Sequence, residues 1–210
     1  EAVTAHLERK GLTTPRPVRC DDGTLWVQDE QPWRALTCIA GQSFDRVPSP
    51  ALAREAGRQV ATFHVAVSDL RHDYRHVRAG VHDTPRHLAR LEEVLAGHAG
   101  HRLFGQVEPL ACELLAAART LPDLSHLPLR HTHGDLKISN LLFANGRAVC
   151  LIDLDTLGRM IWPFELGDAM RSWCNPDGED VRDAAIDRAV FAEALAGYGE
   201  VARPAGLLSV

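Results

Sequence analysis

The tightest constraint on the fold is a dipeptide. Asn145-Gly146 separates two short apolar runs, Leu141 to Phe143 and Ala148 to Asp153, and such a pair between strands specifies a two-residue hairpin turn. A turn of this kind sets the strand register, so whatever follows the second strand returns to whatever precedes the first. Asp153 is thereby brought back beside Asn140.

Upstream, the pattern is helical with one β-like interval. Ala2 to Lys10 places Val3 and Leu7 on one face and meets Gly11, a C-cap, before Pro15 and Pro17. Short β-like pieces follow at Pro17 to Cys20, Thr24 to Gln28 and Trp33 to Ile39, with Asp21-Asp22-Gly23 and Asp29 to Pro32 as turns, which predicts a small meander. Gly41 opens a loop through Pro48. Ser49 and Pro50 then start a buried helix carrying Leu52, Ala56, Val60, Phe63 and Val67 on one stripe. Thr84 and Pro85 repeat that opening before Leu88, Leu91 and Leu95, and a third helix runs from Val107 to Leu121. His131 to Asn140 reads as a loop. Two helices close the chain, Leu166 to Cys174 and Val181 to Tyr198, the second capped by Asp180.

Composition removes several classes of function. The formal charge of -5 comes with Lys and Arg scattered rather than clustered, which does not suit a nucleic-acid backbone. No apolar run approaches the roughly 18 residues of a membrane helix, and no secretory pattern opens the chain, so a cytoplasmic protein is expected. The five cysteines are far apart and lack Cys-x-x-Cys spacing, which predicts reduced core thiols. His131 and His133 have no second ligand pair at zinc-like spacing.

The chemistry concentrates in His133-Gly134-Asp135-Leu136-Lys137-Ile138-Ser139-Asn140, followed by Asp153 in Leu151-Ile152-Asp153-Leu154-Asp155. Phosphoryl transfer needs a carboxylate to orient a hydroxyl and take its proton, and it needs oxygen ligands for the magnesium that neutralises phosphate charge. Asp135 is the candidate base, and Asn140 and Asp153 are the candidate metal ligands. The spacing from Asp135 to Asn140 matches the kinase catalytic loop, His-x-Asp-x-x-x-x-Asn. Lys137 is placed either to set an ammonium near the γ-phosphate or to pair with a neighbouring acid. Arg171 is placed either to reach substrate or phosphate or to brace the helix that carries it.

The segment from Arg130 to Arg171 resembles the catalytic and metal loops of the aminoglycoside phosphotransferase family, which includes choline, homoserine and sugar kinases. The resemblance implies an α+β, protein-kinase-like fold. Its mostly helical C-terminal lobe, residues 42–210, would contain a catalytic-loop β-hairpin, and an incomplete small N-terminal β lobe would occupy residues 1–41. It also implies ATP and Mg2+ as cofactors, a small-molecule hydroxyl as acceptor, and backbone recognition of adenine at Thr37, Cys38 and Ile39. Asp155 becomes an accessory, substrate-side acid, and Glu165 stands where the family places an Asp that braces the catalytic loop. Trp33-Arg34, His82-Asp83-Thr84-Pro85, Pro128-Leu129-Arg130, and Ile152 to Thr156 with Gly167 to Arg171 are most similar to N-acetylhexosamine 1-kinases. A sugar is therefore the first acceptor expected, and an aminoglycoside or other amino alcohol the second. Gly134 departs from the Asn that those sugar kinases carry before the catalytic Asp.

A complete kinase also has a Gly-rich loop over the phosphates and a strand lysine, and this sequence has neither. The expectation is a fragment lacking the first strands. A catalytically silent, kinase-like nucleotide-binding module is the alternative, and a metal hydrolase using Asp135, Asp153 and His133 is a third reading.

Overall fold

The computed structural model describes residues 1–75, 80–177 and 185–208 of the chain. α1 (Ala2–Arg9) buries Val3 and Leu7 and ends at a left-handed Gly11, φ +80°. There the Gly11 N–H donates to Glu8 O and the Leu12 N–H reaches back to Leu7 O, satisfying carbonyls that a helix end leaves open. The four strands that follow have two residues each. β1 (Pro17–Val18), β2 (Val27–Gln28), β3 (Pro32–Trp33) and β4 (Ala35–Leu36) pair antiparallel as β1 with β4 and β2 with β3. This corrects the expected meander, because the inner pair is nested within the outer one and the run from Trp33 to Ile39 breaks at Arg34. Strands this short leave no alternation to read.

α2 (Pro50–Val67) starts as its first residues require. Ser49 Oγ accepts the Leu52 N–H at 3.3 Å, and Pro50 sits in the first turn, where a missing N–H costs nothing. α3 (Thr84–Gly97) is capped one residue earlier than Thr84, by Asp83 Oδ1 on the Arg86 N–H at 3.2 Å. α4 (Phe104–Ala118) begins upstream of Val107 and stops short of Leu121. These two helices belong to one compact unit, Arg78–Pro128, while Glu1–Val77 and Leu129–Val210 form the other.

In the larger unit, β5 (Arg130–Thr132) occupies part of the expected loop. A 3₁₀ turn at Ile138–Asn140 leads into β6 (Leu141–Ala144), which pairs with β7 (Arg147–Leu151) through Asn145 and Gly146 at φ +50° and +75°, the predicted turn. β8 (Gly158–Met160) runs antiparallel to β5, with Thr132 opposite Gly158. Gln42 and Phe143 exchange backbone hydrogen bonds of 2.8 and 2.9 Å, which ties the loop after Gly41 to β6.

Two helices complete this unit. α5 (Trp162–Trp173) starts one turn before the predicted Leu166, with Pro163 in its first turn. α6 (Arg188–Ala202) is capped by Asp187 Oδ1, which accepts the Ala189 and Val190 N–H groups at 2.9 and 3.0 Å. The expected start at Val181 and cap at Asp180 lie outside the described residues. Val60, Phe63 and Val67 of α2 share the buried core with Ala194, Tyr198 and Ala202 of α6 and with Leu136, Leu141 and Leu151. Cys150 and Cys174 are buried as expected, and burial pushes the Cys150 thiol up to about 11, but Cys38 and Cys112 are exposed. Among the described residues no helix is long and apolar enough to cross a membrane.

Glycine sets the approach of α2 to α6. A Cβ on Gly57 would lie 2.0 Å from Ala194 O, and one on Gly197 would lie 2.0 Å from Arg54 O. Replacing glycine by alanine in a helix gains about 1 kcal/mol of propensity, whereas overpacking costs about 1–3 kcal/mol, and a main-chain oxygen cannot rotate away as a side chain can. Gly197→Ala should therefore lower stability, by up to roughly 2 kcal/mol in urea unfolding. Gly167→Ala on α5, where a Cβ meets nothing within 4 Å, should raise it slightly. Equal behaviour of the two variants would contradict the close crossing.

Candidate functional site

β5 delivers its last residue into a loop held from several sides. His133 is fully buried, and burial holds its imidazole below the ordinary histidine range. The neutral ring is satisfied at both nitrogens: Nε2–H donates to Ile152 O at 2.9 Å, and Nδ1 accepts the Asp135 N–H at 3.3 Å. Gly134 has φ +84°, and a Cβ there would stand 2.3 Å from Thr156 O. No side chain fits at Gly134 in this loop unless the backbone of Thr156 shifts. The Gly134 N–H donates to Glu165 Oε1 at 2.7 Å, and Thr156 Oγ donates to His133 O at 2.8 Å. Leu136 is buried, and its carbonyl accepts the Trp173 indole N–H at 2.6 Å.

These bonds position three side chains. Asn140 is buried and its Nδ2 donates to both Asp135 O (2.9 Å) and Asp135 Oδ2 (3.1 Å). The Ile152 N–H donates to Asn140 O at 2.9 Å, so the next residue, Asp153, emerges beside Asn140 as the hairpin predicted. Asp153 is exposed and left-handed, φ +61° and ψ +57°. Lys137 Nζ lies 3.0 Å from Asp135 Oδ2, so the neighbouring acid it pairs with is the candidate base itself.

A cleft of about 250 Å³ opens at this loop, lined by Asp45, Asp135, Lys137, Ser139, Asp168 and Arg171 among others. Arg171 binds Asp168 Oδ1 through Nε and Nη2 at 3.2 and 2.9 Å, so it both lines the cleft and braces its own helix. Asp155 instead pairs with Arg34 from the segment between β3 and β4. Thr37 is held by Arg16, whose O accepts its N–H and whose N–H binds its Oγ, both at 2.9 Å. Cys38 and Ile39 follow it, Cys38 exposed.

Sequence reasoning missed His64 and Tyr198. His64 Nε2 lies 2.6 Å from Glu165 Oε2 and its Nδ1 lies 2.9 Å from the Tyr198 hydroxyl, all within the core. The available signal was a histidine on the apolar stripe of α2, one turn from Val60, where a buried polar group demands partners. Asp45 was also missed, because it sits in a loop with no periodicity.

The sequence model of the phosphotransferase enzyme family, APH, matches residues 1–202. The chain belongs to that family. Homoserine kinase of Methylobacterium radiotolerans is 31% identical over 95% of this chain and 58% of its own length. Homoserine kinase of Methylorubrum populi is 30% identical over the same shares. The chain thus spans a little over half the length of these curated relatives. Among solved structures, an amicoumacin kinase has a TM-score of 0.60 at 14% identity, covering 94% of this chain and 59% of that one. An aminoglycoside phosphotransferase from Alicyclobacillus acidocaldarius has a TM-score of 0.60 at 17% identity, covering 95% and 62%. The α+β, kinase-like fold inferred from the sequence is the fold of these APH neighbours. The relatives named are homoserine and antibiotic phosphotransferases, so the expected sugar acceptor draws no support from them.

The histidines flanking Thr132 generate a pH dependence. His131 donates from Nε2 to Leu70 O at 2.8 Å and lies 3.0 Å from the Tyr74 hydroxyl, and burial lowers its pKa from 6.5, as it does for His133. Protons then bind the unfolded chain first. The stability these groups lend is complete above about pH 6.5 and is lost as pH falls below it. The thermal midpoint should drop between pH 7 and pH 5, and H131Q, which keeps a donor but does not titrate, should shrink that drop. An unchanged pH slope in H131Q would remove His131 from the account.

Proposed function

We propose that this chain is the catalytic part of an ATP- and Mg2+-dependent phosphotransferase that moves the γ-phosphate to a hydroxyl of a small molecule. The observation that carries the reading is the Asn140 amide bonded to Asp135, with Asp153 returned beside it by the hairpin. Asp135 orients the acceptor hydroxyl and takes its proton. The Asn140 Nδ2 is spent on Asp135, and its Oδ1 has no protein partner among the described residues. Together with the exposed Asp153 carboxylate it offers hard oxygen donors, a set that suits a magnesium ion which takes its remaining ligands from water and phosphates. That ion would neutralise charge on the phosphates. Lys137, half-exposed beside Asp135, supplies a further positive charge on the same side. The segment from Thr37 to Ile39, with Cys38 exposed, offers backbone groups for adenine. In this assignment residues 1–41 are part of the smaller lobe and residues 42–210 the catalytic lobe.

Two observations favour an amino-bearing alcohol as acceptor over a neutral sugar. The curated relatives named above are homoserine kinases. The cleft is also lined by Asp45, which forms no ion pair among the described residues and can receive an ammonium. Arg171 lines the same cleft and gives an acceptor carboxylate a guanidinium partner beside Asp168, while Asp155 serves Arg34 rather than substrate.

The decisive variant is Asp135→Asn. Loss of the base should lower transfer by about 100-fold or more, in a panel containing homoserine, aminoglycosides and N-acetylhexosamines. Retained turnover would end the assignment. Magnesium-dependent ATP binding without transfer to any acceptor would leave the nucleotide-binding module instead.

A further inference from the structure

We infer that His64, with Tyr198 behind it, is a positioning residue that sets the direction of Asp135 through Glu165 and the Gly134 peptide. The inference rests on the phosphotransferase reading for its kinetic consequence but not for its geometry.

The chain of bonds runs from the last helix to the catalytic loop. The Tyr198 phenol has no other hydrogen-bond partner among the described residues, and burial raises its pKa, so it keeps its proton. It must then donate to His64 Nδ1, since an O–H left unpaired in the core costs about 1–3 kcal/mol. With Nδ1 accepting from the phenol, the ring proton sits on Nε2, which donates to Glu165 Oε2 at 2.6 Å. Glu165 Oε1 accepts the Gly134 N–H at 2.7 Å. Each carboxylate oxygen thus has one donor, and donation runs toward Glu165 from both ends. The Trp162 ring stacks on the imidazole at 4.8 Å and 9°, which holds the His64 ring in the plane these bonds require.

Among the described residues no Lys or Arg pairs with Glu165, and its side chain is about 1% exposed. The donors found for it among the described residues are the His64 ring and the Gly134 N–H, one on each oxygen. Removing the His64 donor leaves a buried carboxylate half satisfied, and it must turn or protonate, either of which loosens its hold on Gly134. Gly134 sits at φ +84° immediately before Asp135, so rotation there swings the carboxylate that faces the cleft. His64 itself does not line the cleft.

Three variants test this. H64L removes the donor, H64Q keeps an N–H near the Nε2 position, and Y198F removes only the outermost bond. With an accepted acceptor, H64L should lower kcat by roughly 10- to 100-fold with KM for ATP and acceptor little changed, since misplacement of about 1 Å costs up to 100-fold. H64Q should recover most of the loss, and Y198F should show a smaller loss. Amide exchange read in the same proteins should be faster at Gly134 and Asp135 in H64L and near the parent rate in H64Q. Wild-type kcat in H64L, or H64Q as impaired as H64L, would overturn the inference. If H64L does not fold, the kcat of Y198F and the rescue by H64Q decide it. If the parent transfers phosphate to no acceptor, the functional reading fails, while the exchange difference still supports or refutes the positioning network.

Discussion

The site depends on one close approach, that of the Gly134 peptide to the carbonyl of Thr156. No side chain fits between them, so the loop after β5 and the turn after β7 touch through their backbones. Around that contact a run of bonds links the two loops: Thr156 with His133 O, His133 with Ile152 O, and Ile152 with Asn140 O, while the buried Thr132 hydroxyl one residue upstream has no partner among the described residues. A network that is fully satisfied is rigid, and one with a missing member is costly, because the core supplies no water to substitute. The geometry of Asp135, Asn140 and Asp153 is therefore a consequence of packing between two loops rather than a property of either one. The pairing of β5 with β8 extends the same apposition away from the cleft.

Charges are distributed unevenly between this network and the rest of the larger unit. At the rim of the α2 and α6 contact, Arg54 pairs with Glu193 and Glu200, and Arg58 with Glu200. These groups are about two-fifths exposed on the arginine side, so water and salt screen the pairs and they contribute little. Apolar burial between two helices whose backbones meet at Gly57 and Gly197 outweighs them. The opposite holds at Glu165, where the environment is dry and the loss of one partner is felt in full.

What the sequence revealed follows the range of the signal. The Asn145-Gly146 turn and the Ser49-Pro50 helix start are local rules, and both appear as read. The spacing from Asp135 to Asn140, together with the hairpin, pointed to phosphoryl transfer, because a loop motif and a short register carry the arrangement, and the family came from the resemblance of the whole segment from Arg130 to Arg171. The β5 with β8 pairing and the nested order of β1 to β4 escaped, since strands of two or three residues show no periodicity and their partners are distant in sequence. His64 escaped for a related reason. Its partners come from α5 and α6, and only its place on a greasy helical face marked it as needing any.

Asp153 holds a left-handed backbone that glycine would adopt at less cost, by about 1 kcal/mol. A search for sturdier variants that scored thermal resistance alone would drift toward glycine or asparagine there, and would shed the carboxylate in doing so. Under the metal role proposed for Asp153, robustness and chemistry pull against each other at this position, and a selection scheme that ignores turnover would erase the proposed ligand.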